Sequence, residues 1–299
     1  VKFLRRAIDI GYDFLDTATI YGLGNNEKLI GEALKDRRNE FLLASKCVMG
    51  FKDGKRMLDA RPATIKQACE ASLERLQTDV IDLYYMHRPD PNVPIEDSIG
   101  ALADLVDEGK IRMIGLSEMS ADMLRAAHAV HPIAAMQSEY SLMTRNPEIA
   151  VLDTCRELGV TFVPFSPVGR GYLADEPLDP NNYHETDLRR TFPRFTDPHF
   201  SANLILLDKA RQYASDLGCT IAQLALAWTL AQDTGSVPIP GTTNLQHLQD
   251  NFDAAGITLP ADMLAQINND FAPDAIAGPR YSAVAQASVT TERFDFEGV

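Results

Sequence analysis

Cysteine is scarce in this 299-residue chain: Cys47, Cys69, Cys155 and Cys219 stand far apart and form no C-x-x-C pair. That spacing argues against a disulfide framework and a zinc ribbon, so no metal site is expected and a reducing cytoplasm fits best. No apolar run approaches the roughly 18 residues of a membrane span, and the charged opening Val1-Lys2-Phe3-Leu4-Arg5-Arg6 lacks a signal-peptide core. Positive charge is also short, with 28 Lys and Arg against 42 Asp and Glu, a net charge of -14. Such a surface repels phosphate backbones and anionic headgroups, which makes nucleic acid and membranes poor partners. No Gly/Ser-rich linker, composition shift or repeat divides the chain, so residues 1–299 read as one domain. The 45% hydrophobic content is enough for a sizeable core. The oligomeric state is not written in these features.

Short apolar runs alternate with longer segments of helical spacing, the mark of βα units around a parallel sheet. The runs are Phe14 to Asp16, Phe41 to Ser45, Val80 to Met86, Ile111 to Leu116, Ile133 to Gln137, Val160 to Phe165 and Val237 to Ile239. Seven such runs predict a (β/α)8 barrel of the TIM type with seven of its eight strands recognisable, opening directly on a helix over Lys2 to Ile10. The chain is therefore expected to be shortened at its N-terminus. Ile65, Cys69, Leu73 and Leu76 form a buried helical stripe after Pro62, which makes Cys69 a packing residue. Gly11, Gly109, Gly159 and Gly235 mark helix-to-strand turns. Residues 171–203 break the rhythm and read as a lid-like loop, and 272–299 as a C-terminal tail.

Asp16, Tyr21, Lys46 and His87 each fall at or just past the C-terminal end of an apolar run, the face where β/α barrels assemble active sites. Reduction of a carbonyl needs a proton donor, and a phenol is a weak acid unless its anion is stabilised. Lys46 supplies that charge, Asp16 holds the lysine, and His87 orients the substrate oxygen. Taken singly, each residue also has a structural explanation: a loop tyrosine, a solvated strand end, a cap and a satisfied loop histidine.

The order and wording of the motifs carry a more specific reading. Phe14-Leu15-Asp16-Thr17-Ala18 with Tyr21-Gly22, then Ala44-Ser45-Lys46, then Asp82-Leu83-Tyr84-Tyr85-Met86-His87-Arg88-Pro89 resemble the aldo-keto reductase superfamily. Ile114-Gly115-Leu116-Ser117, Gln137-Ser138-Glu139-Tyr140-Ser141, Pro164 to Gly171 and Ile239-Pro240-Gly241-Thr242 continue the match in order. It extends from Val1 to about Asn251, with wording similar to the bacterial and plant aldehyde-reducing, auxin-induced-type branch. The resemblance implies NAD(P)H-dependent reduction of a small aldehyde or ketone to the alcohol, with Tyr21 as proton donor. It further implies that Ser117 and Gln137 hold the nicotinamide carboxamide and that Phe165 stacks on the ring. Ser166, Gly169 and Arg170 would lie along the pyrophosphate. Gly241, Thr242, Thr243, His247, Asp250 and Asn251 would lie beside the adenosine. Glu118 stands where many members carry asparagine, and no role is assigned to it.

One departure bears on the cofactor. The stretch Gly241 to Asn251 contains no Lys or Arg, whereas the 2′-phosphate of NADPH usually has basic partners. Thr242, Thr243, Asn244, a protonated His247 and a helix start near Asn244 would bind it less selectively. NADPH is expected to be preferred over NADH only modestly, with NADH accepted. Two other classes stay open: a redox-sensing or regulatory subunit of the same fold, and a Schiff-base aldolase using Lys46.

Overall fold

The computed structural model describes residues 1–52, 54–176, 178–232 and 235–297. Residue 177 of the expected loop and residues 298 and 299 of the tail lie outside them. The chain falls into two compact units, one of Val1–Gln137, Thr154–Thr161 and Ser288–Thr290, the other of Ser138–Asp153, Phe162–Ala287 and Thr291–Val299.

In the first unit, helix α1 (Lys2–Ile10) leads into strand β1 (Phe14–Asp16), followed by α2 (Asn25–Leu34) and β2 (Leu42–Cys47). A hairpin, β3 (Met49–Lys52) and β4 (Lys55–Leu58), comes next. Then α3 (Pro62–Leu76), β5 (Ile81–Met86), α4 (Ile95–Asp107), β6 (Ile111–Ser117), α5 (Ala121–Val130) and β7 (Ile133–Glu139), of which residues 133–137 belong to this unit, alternate. The non-hairpin strands pair in the parallel order β1, β2, β5, β6, β7. Every residue of β5 is buried, as expected of a parallel strand covered on both faces. Ile65, Cys69, Leu73 and Leu76 all point into the core, so Cys69 packs as the pattern predicts. Pro62 occupies the first turn of α3, where its missing N–H costs nothing.

Parallel pairing aligns the strand ends. Asp16 lies opposite Ala44, Lys46 opposite Tyr85, Tyr85 opposite Gly115, and Ser117 opposite Gln137. Gly115 is required by close approach: a Cβ there would sit 2.4 Å from the Tyr85 ring.

The second unit contains part of α6 (Val151–Leu158), most of β8 (Thr161–Phe165), α7 (His199–Leu217), α8 (Ile221–Ala231) and α9 (Leu245–Asp253). Two expectations are corrected here. Val237 to Ile239 is not a strand and forms only a parallel bridge between Ile239 and Phe165. Val237 and Ile239 donate to Phe162 O and Pro164 O, both at 3.0 Å, while Pro238 and Pro240 have no N–H to extend a ladder. Residues 171–203 are not one open loop either. They contain short 3-10 turns over Pro180–Asn182, Leu188–Thr191 and Pro193–Phe195, and residues from His199 onward are helical. Phe192, Arg194 and Phe195 are buried there.

Candidate active site

Asp16 ends β1, and five residues later Tyr21 opens a 3-10 turn in which Gly22 and Leu23 are left-handed, with φ of 57° and 55°. The turn leaves Tyr21 40% exposed, enough for its phenol to meet a ligand. Lys46, on β2, is buried. Its Nζ donates to Asp16 Oδ1 and, at 2.9 Å, to Thr17 O. It also lies 5.2 Å from the Tyr21 ring centroid and 5.6 Å from that of Tyr85. The second oxygen of Asp16 accepts from Gln137 Nε2 at 2.8 Å. The carboxylate is thus clamped from two sides, which holds the ammonium in place.

His87 follows β5, and its ring meets the Tyr21 ring edge to face at 5.9 Å. Burial drives its pKa well below the usual 6.5, and the cations of Arg88, Lys46 and Arg56 push the same way. The imidazole is therefore neutral. Nδ1 is buried without a partner, so placing the proton on Nε2 leaves only a lone pair unsatisfied and makes Nε2 a donor. The structure brings together all four residues singled out from the sequence: a half-exposed phenol, a buried ammonium, its carboxylate and a neutral imidazole.

Ser117 ends β6 and is buried, and its Oγ accepts from Arg88 Nη1 at 3.1 Å. Glu118 is buried in a left-handed conformation (φ 56°), with its N–H on Gln137 O at 3.0 Å. The sequence reading did not anticipate the Gln137 to Asp16 bond, the contact of Arg88 with Ser117, or Arg56 on the hairpin. Arg88 follows directly on His87 at a strand end, and the Asp53-Gly54 dipeptide is a hairpin signal, so both had a readable cue.

In the second unit, Phe165 ends β8, and Ser166, Gly169 and Arg170 are left-handed at φ 51°, 58° and 57°. Arg170 Nη2 donates to Glu139 Oε2 at 2.7 Å and to Tyr281 Oη at 3.2 Å, with its guanidinium 4.7 Å from the Phe192 ring. Gly241, Thr243 and His247 are exposed, and Thr242, Asp250 and Asn251 are half-buried. Asn244 caps α9, its Oδ1 accepting the N–H groups of Gln246 (2.7 Å) and His247 (3.3 Å). Thr242 Oγ1 accepts from Asn244 N–H at 3.1 Å, and Asp250 Oδ1 from Gln246 Nε2 at 2.8 Å. The cap thus takes up donors that an anion could use, while Thr243 and His247 face solvent. Arg189 and Arg194 are engaged within the protein: Arg189 with Asp187, Arg194 with Gly278 O and Met143 O.

No helix among the described residues is long and apolar enough to cross a membrane. The aldo/keto reductase family pattern matches residues 1–269. An aldo-keto reductase of Strobilurus tenacellus is 42% identical over 284 residues, 93% of this chain and 83% of that protein. A glycerol dehydrogenase structure from Gluconobacter oxydans is similar with a TM-score of 0.83 at 28% identity, covering 91% of this chain and 85% of that one. An aldo/keto reductase from Klebsiella pneumoniae, solved with NADP and acetate, gives a TM-score of 0.72 at 28% identity over 91% and 84% of the two chains. These likenesses put the fold in the α/β-barrel class that the alternation of runs predicts. The chain belongs to the aldo/keto reductase family and is an oxidoreductase.

Proposed function

We propose that the protein reduces an aldehyde or ketone to the alcohol with NADPH, and that Tyr21 donates the proton. The observation that carries this reading is the position of Lys46, paired with Asp16 and facing the ring of Tyr21, with neutral His87 against the same ring. When bound, the reduced nicotinamide would be the source of the hydride that the carbonyl carbon accepts. His87 Nε2–H holds the carbonyl oxygen, and the Tyr21 hydroxyl gives that oxygen its proton as negative charge develops. The Lys46 ammonium stabilises the phenolate left behind, and Asp16, itself held by Gln137, keeps the ammonium aimed. A buried amine paired with a carboxylate is charged rather than nucleophilic, which speaks against the Schiff-base alternative. The complete proton-donor set speaks against a purely sensory subunit.

Ser117 and Gln137 would hold the carboxamide, Phe165 the ring, and Ser166, Gly169 and Arg170 the pyrophosphate. The exposed Thr243 and His247 at the start of α9 suit a phosphate held by hydroxyl and backbone donors rather than by a guanidinium. Preference for NADPH over NADH is then expected to be on the order of ten-fold, about 1.4 kcal/mol. Four free cysteines fit a cytoplasmic setting, and a family pattern unbroken from residue 1 to 269 favours a single domain. A panel of aromatic, aliphatic and dicarbonyl aldehydes assayed with NADPH and NADH tests the proposal. Turnover of at least one class with both cofactors, NADPH ahead, is expected; no carbonyl-dependent cofactor oxidation would refute it.

A further inference from the structure

Among the described residues, every arginine that is buried or half-buried has a carboxylate oxygen within 4 Å, with the single exception of Arg88. Arg5 has Asp36, Arg37 has Asp9 and Glu40, Arg38 has Asp82, Arg75 has Glu27, and Arg145 has Glu148. Arg170 and Arg280 have Glu139, Arg189 has Asp187, and Arg194 has Glu297. Arg88 Nη1 instead donates to two neutral acceptors, the His87 carbonyl at 2.6 Å and Ser117 Oγ at 3.1 Å. A guanidinium has five N–H donors, so Nε and Nη2 leave three uncommitted.

No ion pair joins Arg88 to a carboxylate among the described residues. Lys46 consumes the carboxylate of Asp16, and Arg56 adds a further positive charge toward His87. A half-buried, uncompensated guanidinium is costly unless a ligand completes it, and its planar fork matches a carboxylate or phosphate.

We propose that Arg88 binds an anionic group of the carbonyl substrate, so that the preferred substrates are oxo acids or other aldehydes and ketones bearing a carboxylate or phosphate a few bonds from the carbonyl. Arg88 is bonded to the backbone of His87, the residue that holds the carbonyl oxygen, which sets that short separation. As a statement about substrate, this rests on the carbonyl-reductase reading. As an anion site it stands on the Arg88 geometry alone.

The test compares kcat/KM for 4-oxobutanoate and its methyl ester at saturating NADPH in the wild type, Arg88→Met and Arg88→Lys. The acid should be favoured in the wild type by about 10- to 100-fold, the range of one charge-assisted pair. The acid-to-ester ratio should fall toward one in Arg88→Met, recover in part in Arg88→Lys, and shrink with added salt. In parallel, calorimetry measures benzoate and NADPH binding to the same three proteins, and benzoate affinity should drop in Arg88→Met. A wild-type ratio near one, or a ratio that survives Arg88→Met, overturns the proposal. So does an equal loss for both substrates with weakened NADPH affinity, which would assign Arg88 to the cofactor. If no carbonyl compound is reduced at all, the reductase reading fails, while benzoate binding that depends on Arg88 upholds the anion site and benzoate binding that ignores it overturns that too.

Discussion

Glu139, in the second unit, is buried among guanidiniums: Arg170 donates to it at 2.7 Å, Arg280 lies 3.9 Å away, and Arg194 stands near with Glu297 as its own partner. Burial pushes the Glu139 carboxyl up, but the charges of Arg170, Arg280 and Arg194 outweigh it and hold the pKa at about 2. At the strand ends of the first unit the matching inventory is left open. Lys46 and Asp16 satisfy each other, but among the described residues His87 Nδ1 has no partner and Arg88 has no carboxylate. Both regions bury charge, and they differ in whether the protein itself completes the set. The closed cluster ties residues 170, 194, 280 and 297 to the end of β7, a structural task. The open one keeps donors for something that is not protein.

The comparison is broken most forcefully at Glu139. Glu139→Ala leaves buried guanidiniums without their carboxylate and should cost about 3–5 kcal/mol of stability in urea unfolding. Arg88→Met, which orphans no charge, should cost less than about 1 kcal/mol. Equal losses would mean that the two clusters do the same work. Next in size is Gly115→Ala, whose Cβ would run into the Tyr85 ring beneath Lys46. Overpacking of this kind costs about 1–3 kcal/mol, and kcat should fall with it as Lys46 shifts. A fully active, fully stable alanine variant would remove Tyr85 from the support of the lysine.

Acid should separate the two clusters by pH. His87 is held neutral with a pKa below 6.5, so below 6.5 the unfolded chain binds a proton that the native one does not. Stability must then fall on acidification, by up to about 1.4 kcal/mol per pH unit. Glu139 has its pKa lowered from 4.5 to about 2, so its contribution is intact above 4.5 and is lost as pH falls toward 2. Unfolding measured at pH 6 and 5 should show a slope that His87→Gln flattens and Glu139→Gln leaves alone, and an unchanged slope in His87→Gln would contradict the neutral imidazole. The smallest effect belongs to Gln137→Leu, which frees one oxygen of Asp16. A fall of about ten-fold in kcat with little change in KM for NADPH is expected. A raised KM with kcat intact would make Gln137 a cofactor ligand alone.

Much of this contrast was legible in the sequence, and the reasons are local. Asp16, Lys46 and His87 sit at the ends of runs whose parallel pairing aligns them, so residue type and strand-end position pointed to their meeting, whereas Ser117 and Gln137 were singled out only through the family resemblance. The left-handed glycines were readable too, with Gly109 at φ 72° ending its helix as predicted. What failed depends on contacts distant in sequence. No local pattern announces that Gln137 reaches Asp16, 121 residues away. Nor does one announce that Arg194 is buried under Gly278 rather than on an open lid. The run Val237 to Ile239 misled because its hydrophobicity was weighed without Pro238 inside it and Pro240 directly after it.

The central claim is that the Tyr21 phenol is the proton donor, and single-turnover oxidation of bound NADPH by an aldehyde in wild type and Tyr21→Phe tests it most directly. Removing one hydroxyl while keeping the ring should slow the chemical step by about 10² or more, the usual scale of general acid catalysis, with NADPH affinity nearly unchanged. A folded Tyr21→Phe protein that oxidises NADPH at the wild-type rate would contradict the account.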